Sequence, residues 1–402
     1  MRITLVISNL LCGGAQRVAS LFAGYWAEAG WQVTLLTLGQ DGHQPFFDLH
    51  AAVEHCDLRS LQPIETAESG DQDAPLLKFA REVTPLERAF LFRERESLLR
   101  LRNAITTTNP DVVVSFVDIT NVRVLIACLD LAIPIVVCEH TDPARVSLGS
   151  RVWTSLRRRV YPTAAAVVTL TQEALAHFSP AVRQIGWVIP NPVIAPESGA
   201  VRAERPGQRV LITLGRLSYE KGFDLLLRAF EKVARIHPSW TLEIWGEGPL
   251  RDQLALLIER LGLMGRASLR GLTARPYDVL RRADIFAMSS RIEGFPVALC
   301  EAMACGLPVV CCDCSPGVRA IVRDGVDGVL IPAEDVAGLA AALDGLMRDE
   351  QTRSRLGDRA QEVVDRFGIE RVMVGWKKMF THLESKGRVP QERGDSPALM
   401  LI

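Results

Sequence analysis

Short apolar runs alternate with amphipathic helical patterns along almost the whole chain. The runs are rich in valine, isoleucine and leucine and end at polar or turn-forming residues, at 3–7, 32–38, 112–116, 135–138, 165–170, 210–214, 241–245, 267–270, 285–288 and 309–312. Near-continuous apolar strands are typical of a parallel sheet with helices on both faces. The pattern therefore predicts an α/β fold made of doubly wound units.

One aperiodic stretch divides the chain. Residues 189–207 contain four prolines and two glycines, which predicts a linker. We expect a Rossmann-like domain over 1–190 and a second such domain over 191–365. Because ligands bind open α/β sheets at the carboxyl ends of the strands, the two domains are expected to face a central cleft. Residues 58–75, which are polar and aperiodic, are predicted to form a mobile loop, and residues 386–402 are predicted to form a disordered tail.

The composition argues against a general nucleic-acid-binding protein and against a protein that spans the membrane. The 402 residues carry 46 basic and 47 acidic side chains, so the charge does not favour nucleic acid as a general partner. The nine cysteines show no paired metal-binding spacing, which favours reduced thiols in a cytoplasmic protein. Polar Thr4, Ser8 and Asn9 interrupt the first apolar run, which favours a buried strand over a signal peptide. No apolar run is long enough to predict a membrane span.

Two charged motifs follow predicted strands in the second half. In GRLSYEKG, Gly215 permits a tight turn, while Arg216 and Lys221 lie after the strand and near a helix start, where phosphates bind in such sheets. Two fixed cations can offset a diphosphate without a metal. Two solvated surface charges are the alternative interpretation.

The second motif, RIEGFPVALCE at 291–301, places Glu293 and Glu301 eight positions apart. Glu301 lies in an otherwise apolar helix, where a buried carboxylate requires a hydrogen-bonding partner. A ribose hydroxyl is one candidate partner, and a neighbouring backbone group is the other. Glu293 precedes the helix, in a loop whose glycine lets a sugar ring approach.

These motifs resemble the donor domain of retaining glycosyltransferases of the GT-B fold, glycosyltransferase family four. The resemblance covers about 211–380 and includes the glycine-rich turn WGEGP at 245–249. It also implies that a C-terminal helix over 366–385 completes the N-terminal domain. It implies that Arg216 and Lys221 bind the diphosphate, Glu301 the ribose and Glu293 the transferred sugar. The complete implied donor set is Gly13, Gly14, Arg216, Lys221, Gly246, Leu272, Thr273, Glu293, Gly294, Phe295, Pro296, Val297 and Glu301.

The first half offers candidates for the acceptor side. Gly13 and Gly14 lie between a strand and a helix, where backbone N–H groups can meet a phosphate, although a plain tight turn is the alternative. Asp118, Glu139 and His140 follow two further strands. Residues 115–161 and the turn at 189–192 are similar to bacterial enzymes that build lipid-linked oligosaccharides, including N-acetylgalactosaminyltransferases. The resemblance implies acceptor binding by Asp118, Glu139 and His140, with His140 also reaching the donor sugar.

Two basic stretches, at 78–102 and 145–159, bear on location. An ordinary amphipathic helix packed on its domain is the default interpretation. The nearby aromatic side chains also suit a helix on anionic lipid, and we expect peripheral binding to the inner face of the cytoplasmic membrane. The arginines assigned to this surface are Arg88, Arg95, Arg157, Arg158 and Arg159.

The sequence thus predicts a bacterial hexosyltransferase in cell-surface polysaccharide synthesis. We expect transfer of a hexose or N-acetylhexosamine from a nucleotide sugar, UDP favoured, to a lipid-linked oligosaccharide. Catalytic roles fall to Glu293, His140, Arg216 and Lys221, with no cofactor and no metal; the spaced acids Asp71 and Asp73 are set aside because they lie in an aperiodic loop. The alternatives are a non-catalytic lipid-surface adaptor, a sugar-nucleotide epimerase and a dinucleotide-dependent oxidoreductase, although the chain lacks GxGxxG with a downstream acid.

Overall fold

The structure, a computed structural model, describes residues 1–40, 42–60, 73–143, 150–196 and 207–389. It divides into an N-terminal unit, Met1–Ile189 with Val374–Ile402, and a C-terminal unit, Pro190–Met373. The predicted linker begins at this division, but residues 197–206 lie outside the described part. So do most of the predicted loop, 61–72, and most of the predicted tail, 390–402.

The N-terminal unit contains a seven-stranded sheet with helices between its strands. The strands are β1 Arg2–Ile7, β2 Gln32–Thr37, β3 Val53–Asp57, β4 Val112–Phe116, β5 Ile135–Cys138, β6 Ala166–Thr169 and β7 Gly186–Val188. The helices are α1 Gly14–Glu28, α2 Ala74–Glu82, α3 Pro85–Thr107, α4 Asp118–Ala127, α5 Arg151–Val160, α6 Gln172–Ala176 and α7 Pro180–Gln184. The strand order in the sheet is β3-β2-β1-β4-β5-β6-β7. Strands after β1 are added first on one side of it, to β3, and then on the other side, from β4 onwards.

The C-terminal unit repeats the design with a six-stranded sheet. Its strands are β8 Arg209–Leu214, β9 Trp240–Trp245, β10 Ala267–Gly271, β11 Ile285–Met288, β12 Val309–Asp313 and β13 Val329–Pro332. Its helices are α8 Phe223–Ala234, α9 Arg251–Arg260, α10 Pro276–Leu280, α11 Val297–Ala304, α12 Pro316–Ile321, α13 Val336–Arg348, α14 Glu350–Ala360 and α15 Val363–Phe367. The order β10-β9-β8-β11-β12-β13 reverses between β8 and β11.

Every strand pairing in both sheets is parallel. The central strands are buried on both faces, as their unbroken apolar sequences require; β4 and β11, for example, have no exposed residue. The prediction of doubly wound α/β domains is therefore confirmed.

The last described helix, α16 Ile369–Ser385, begins in the C-terminal unit and ends in the N-terminal unit. Trp376 is almost completely buried, with its ring centroid 5.2 Å from that of Phe22 and 5.3 Å from that of Trp26. Phe380 adds a further edge-on contact with Trp26. Aromatic pairs of this kind contribute beyond simple burial, so this cluster anchors α16 on α1. Within the described residues, no helix has both the length and the apolar character needed to cross a bilayer.

Candidate functional site

The C-terminal unit brings the two charged motifs together where its strand order reverses. β8 has β9 on one side and β11 on the other. The segment between β8 and α8 carries Arg216 and Lys221, and the segment between β11 and α11 carries Glu293. In doubly wound sheets this switch point is where ligands bind, and the fold thus gives the predicted donor residues a common location.

Lys221 and Glu293 form the ion pair of this site. Lys221 Nζ donates to Glu293 Oε1 at 2.6 Å, and Ser290 Oγ donates to the same oxygen at 2.6 Å. The Glu293 side chain is 9% exposed and the Lys221 side chain 27%. An ammonium group has three donors, so Lys221 can hold Glu293 and still bind an anion. Sequence reasoning had assigned both residues without predicting that they touch.

Two glycines set the close packing around this pair. Gly222 ends the 3₁₀ turn Tyr219–Lys221 at φ +61°, and a Cβ there would lie 2.1 Å from the Ser289 carbonyl oxygen. Gly246, predicted to bind the donor, has φ +148°, and a Cβ there would lie 1.9 Å from the Gly215 carbonyl oxygen. Both positions require glycine because backbone approaches backbone. The observed role of Gly246 is to let the ends of β8 and β9 meet.

Arg291 joins the two charged loops, a role that sequence reasoning missed. Its guanidinium donates twice to Asp224, at 2.8 Å each, once to Glu334 at 2.7 Å, and once to the Tyr219 carbonyl oxygen at 2.9 Å. The Arg291 backbone N–H donates to the Glu220 carbonyl oxygen at 2.7 Å. The hydrogen bond to Asp224 is the largest cause of a raised Arg291 pKa. Planar bidentate pairing fixes geometry, so Arg291 holds the Lys221 loop against the Glu293 loop.

Glu301 lies where the sequence predicts, on the buried side of α11. Its side chain is buried among apolar neighbours, and it has a polar interaction within the protein. Pro296 occupies the N-cap position of α11, and Val297 is the first helical residue. No side chain caps this end of the helix. The first N–H groups of α11 are therefore not satisfied by a cap, which favours anions and polar ligands there.

The loop before α11 is held by buried contacts within the C-terminal unit. Asn191 Nδ2 donates to the Phe295 carbonyl oxygen at 3.0 Å, and both residues are buried. The Phe295 ring packs edge-on against Phe367 at 5.1 Å. A Cβ at Gly317 would lie 1.7 Å from the Gly294 carbonyl oxygen, so α12 presses directly against this loop. These contacts leave Gly294 half-buried, in a fixed backbone position.

The remaining predicted donor residues border the site on exposed loops. Arg216 is exposed at the end of β8, and Leu272 is exposed just after β10. Thr273 is half-buried, and its hydroxyl accepts a hydrogen bond from the Arg275 N–H at 3.1 Å. β8 and β10 flank β9, so Arg216 and Leu272 lie two strands apart along one edge of the sheet.

In the N-terminal unit, Gly13 and Gly14 lie at the start of α1, as predicted. Gly13 is the N-cap, without a side-chain cap, and Gly14 is exposed. The loop before them is braced by Gln40, whose Oε1 accepts from the Leu10 N–H at 2.8 Å, and by Asn9, whose Oδ1 accepts from Gln16 at 3.3 Å. An uncapped helix start on a braced loop suits an anion.

Asp118 lies at the adjacent strand end, beside strained backbone. It is the first residue of α4, and the preceding Val117 has φ +72°, which is unusual for a β-branched residue. The Val117 N–H donates to the Cys138 carbonyl oxygen at 3.1 Å. Burial raises the pKa of Asp118, opposed by the Ile119 N–H and by Arg157. Retained strain of this kind is concentrated at functional sites.

Glu139 is the most deeply buried acid of the predicted set. The Tyr161 hydroxyl donates to Glu139 Oε1, and Asn121 Nδ2 donates to the Tyr161 oxygen at 3.2 Å. Arg157 Nη1 lies 4.0 Å from Glu139 Oε1. Burial raises the pKa of Glu139 to about 7, and Arg157 opposes this shift. A carboxyl group that titrates near neutrality beside a strained loop marks a candidate functional site.

His140 follows Glu139 and is half-buried. Its ring stacks on Phe116 with centroids 5.4 Å apart. The N-terminal unit therefore brings together all three predicted acceptor residues, since Asp118 and Glu139 also interact electrostatically. Sequence reasoning missed Tyr161 and Asn121; a buried tyrosine near the end of a helix carries no sequence signal for its partner.

The first basic stretch, residues 78–102, is predicted as one amphipathic helix but forms parts of two helices, α2 and α3. α2 ends at Glu82, and a capping box between Thr84 and Glu87 starts α3. Arg88 donates to the carbonyl oxygens of Ala80 and Arg81, and Arg95 pairs with Asp73. Both arginines thus stabilise the junction of the two helices. Leu91, which lies on α3 between these two arginines, is buried.

The three arginines of α5 separate into different environments. The Arg157 side chain is 12% exposed and faces Glu139, whereas the Arg159 side chain is 41% exposed and pairs with Glu87 at 3.3 Å. Arg158 is exposed. Trp153, expected near the lipid, is buried edge-on against Phe90 at 4.7 Å. The prediction of one outward-facing arginine cluster is corrected for Arg157, because consecutive helical residues point about 100° apart.

The described ranges contain no group of three or more acidic, histidine or cysteine side chains arranged to hold a metal ion. Asp73 binds Arg95 in that part of the chain, while Asp71 lies outside it.

Family comparisons match the two halves of the chain separately. A model described as Glycosyltransferase Family 4 matches residues 12–195, and one described as Glycosyl transferases group 1 matches residues 196–363. The two matches adjoin near the division between the units, and the second spans the Lys221 and Glu293 loops described above.

Individual proteins are similar at lower identity. An exopolysaccharide phosphotransferase of Streptomyces coelicolor is 32% identical over 74% of this chain, but the chain spans only 31% of that protein. An α-1,4-N-acetyl-D-galactosaminyltransferase of Campylobacter jejuni, named for an undecaprenol-linked glycan, is 22% identical over 96% of this chain and 99% of its own length. Among solved structures, Anabaena HepE in complex with UDP-glucose has a TM-score of 0.69 at 21% identity, covering 96% of this chain and 100% of that one. The structural likeness establishes the shared fold.

Proposed function

Since this chain belongs to glycosyltransferase family four and has the GT-B fold, we propose that it transfers a hexose or N-acetylhexosamine from a UDP-sugar to a lipid-linked glycan, with retention of anomeric configuration. The observation that carries the proposal is the Lys221–Glu293 pair at the switch point of the second sheet. It combines a cation for a diphosphate with a carboxylate for sugar hydroxyls at the place where such sheets bind ligands.

The donor is bound by the C-terminal unit. Arg216 and the two free donors of the Lys221 ammonium bind the diphosphate, and they stabilise the charge that grows on it as the sugar leaves. Glu293 and the fixed Gly294–Val297 backbone bind and orient the transferred sugar. Glu301 binds the ribose. The base lies against Leu272 and Thr273, at the exposed end of β10.

The acceptor is bound through the N-terminal unit, by Asp118 and His140. Glu139, predicted as a third acceptor residue, is fully buried and instead supports the strand end before His140. His140 stacks on Phe116, which fixes the plane of the imidazole beside the reacting groups. Uncapped N–H groups at Gly13 and Gly14 bind the distal phosphate of the donor. The acceptor hydroxyl then attacks the anomeric carbon on the face from which the diphosphate departs.

The choice of UDP and of a lipid-linked acceptor rests on the relatives. The HepE structure contains UDP-glucose, and the Campylobacter relative is named for transfer of N-acetylgalactosamine to an undecaprenol-linked glycan. An acceptor anchored in a bilayer requires an enzyme that reaches the membrane surface. Exposed apolar and basic side chains on α3 and α5, namely Leu86, Phe92, Arg151 and Arg158, suit peripheral attachment to its inner face.

The proposal is tested by transfer in detergent, with UDP-N-acetylgalactosamine and UDP-glucose as donor probes and a synthetic undecaprenyl diphosphate-linked N-acetylgalactosaminyl disaccharide as acceptor probe. We expect UDP release that depends on acceptor, and a product whose anomeric proton has the configuration of the donor. Sugar isomerised without acceptor would indicate an epimerase, and no turnover with any donor would indicate an adaptor.

A metal-removal arm belongs to the same assay. We expect transfer to persist in excess EDTA, because Arg216 and Lys221 supply the positive charge that a bound metal ion supplies in other transferases. The measured quantity is the rate of UDP release with and without EDTA. Loss of transfer that magnesium restores would contradict this part of the proposal.

A further inference from the structure

Arg157 lies in a run of three arginines but points into the N-terminal unit. Its guanidinium lies 5.5 Å from the centroid of the Phe178 ring, and Nη1 lies 4.0 Å from Glu139 Oε1. The Glu139 side chain has no exposed surface. A cation this close to a fully buried carboxylate is worth far more than one at the surface, because little water screens the pair.

The hydrogen bonds around Glu139 have a defined direction. Asn121 Nδ2 donates to the Tyr161 oxygen at 3.2 Å, which leaves the Tyr161 proton to point at Glu139 Oε1. Glu139 Oε1 is therefore the acceptor in this hydrogen bond, which is stronger when the group is a carboxylate. Asn121 also donates to the Cys138 carbonyl oxygen at 3.0 Å, and the Glu139 N–H donates to the Val168 carbonyl oxygen at 2.9 Å. This network fixes the end of β5 immediately before His140.

The charged and titratable groups that face Glu139 come from every element around it. α4 contributes Asp118, which disfavours the charged form of Glu139; α5 contributes Arg157, which favours it; and the turn after α5 contributes Tyr161. Cys138 precedes it on β5, with its thiol pKa raised by burial. Arg157 is the cation that acts on Glu139 among the described residues.

We propose that Arg157 is a positioning residue: its positive charge favours the carboxylate form of Glu139, which holds Tyr161 and fixes the strand end that carries His140. This inference rests on the proposed function only in assigning His140 to the reacting groups. Without the cation, Glu139 is mostly protonated at neutral pH. A neutral carboxyl oxygen is a weaker acceptor for the Tyr161 hydroxyl than a carboxylate, so the strand end before His140 is held less firmly.

The test compares the wild type with R157Q and R157K. Carbon-13 NMR of chains labelled at the glutamate carboxyl carbon follows Glu139, whose resonance is identified by its loss in E139Q. R158Q is the matched control for the titration, because it removes the neighbouring charge from the exposed side of the same helix. R183Q, which removes an exposed arginine of α7, is the control for transfer.

We expect the Glu139 titration midpoint to rise by about one pH unit or more in R157Q, to stay near the wild-type value in R157K, and to be unchanged in R158Q. In the detergent transfer assay, kcat of R157Q should fall about fivefold or more at neutral pH and recover as the pH is raised. The KM for UDP-N-acetylgalactosamine should change little, because Lys221, Glu293 and Glu301, which bind the donor, lie on the C-terminal unit.

An unchanged midpoint in R157Q would overturn the proposal, as would a loss of kcat that is equal at every pH, which indicates a merely structural role. If R157Q fails to fold by circular dichroism, the titration in R157K decides, since the proposal requires a midpoint near that of the wild type. If the wild type transfers no sugar, the proposed function fails, while the NMR titration still tests the link between Arg157 and Glu139.

Discussion

At the scale of single residues, the fold changes the chemistry of Glu139 most. Its burial is complete, and its neighbours combine a like charge from Asp118 with an opposite charge from Arg157. A sequence can show that a glutamate follows an apolar strand, but not how many partners reach it. Arg157 illustrates the same limit: three consecutive arginines point in three directions on a helix, so the run alone could not say which one points inward.

This burial predicts a pH dependence of stability. Burial raises the pKa of Glu139 from its ordinary 4.5 to about 7, so the folded state binds this proton more tightly than the unfolded state. The resulting stabilisation is complete below pH 4.5 and is lost as the pH rises through about 7. Relative to E139Q, the wild type should lose on the order of 3 kcal/mol of unfolding free energy across this window.

Urea denaturation at several pH values measures this difference. Glu173→Gln, an exposed residue of α6, is the control and should leave the pH dependence of the wild type unchanged. Parallel stability profiles for the wild type and E139Q would contradict the assignment of a raised pKa to Glu139.

At the scale of elements, apolar runs predicted the central strands well, because parallel strands covered on both faces have few polar positions. The three strands that escaped prediction, β3, β7 and β13, all lie at sheet edges. Each has partly exposed residues and a mixed sequence, such as VEHCD in β3. An edge strand gains its structure from one neighbour, and the apolar pattern does not record that neighbour.

The charged loops show a similar division. The donor motifs were recognised from glycines and charges in a fixed order, but the role of Arg291 depends on Asp224 and Glu334, which lie far from it in the sequence. Long-range ion pairs of this kind follow from the sheet order. They could not be predicted from local spacing.

Gly222 provides a test of how closely the donor loops pack. Alanine at Gly222 places a Cβ 2.1 Å from the Ser289 carbonyl oxygen, whereas alanine at Gly262, which has a similar φ of +67°, meets nothing within 4 Å. G262A should cost about 1 kcal/mol from backbone strain alone. G222A should cost roughly 1–3 kcal/mol more, because the loop after β11 must move.

Denaturant midpoints of the two variants measure this comparison, since both substitutions add the same methyl group in the same backbone conformation. Equal losses of stability would mean that the Lys221 and Glu293 loops do not pack as closely as described.

At the scale of the whole molecule, two doubly wound units could be anticipated from the alternation of elements and a proline-rich division, and the C-terminal helix that returns to the first unit from the family resemblance. The exposed surface could not be predicted from the sequence, because burial of Trp153 and Leu91 depends on how the helices pack on the sheet. The surface that remains for lipid comprises Leu86, 67% exposed, and Phe92, 52% exposed, together with exposed arginines of α5.

This surface predicts how the protein binds membranes. Replacing Arg151 and Arg158 with glutamine should lower partitioning onto anionic liposomes about thirtyfold, since each basic residue contributes about 1 kcal/mol near such a surface. R157Q should leave liposome binding unchanged, because that side chain faces Glu139. Co-sedimentation with anionic and neutral liposomes at low and high salt measures the effect. Equal effects of R157Q and the double variant, or no salt dependence, would argue against this surface.

The C-terminal unit is proposed to bind a nucleotide sugar through Lys221 and Glu301. Calorimetric titration with UDP-, GDP- and ADP-sugars measures this binding directly. We expect a UDP-sugar to bind most tightly, K221A and E301A each to weaken it about tenfold or more, and Lys232→Ala, an exposed cation on α8, to bind like the wild type. The account would be contradicted if no nucleotide sugar bound the wild type, or if folded K221A and E301A bound it with unchanged affinity.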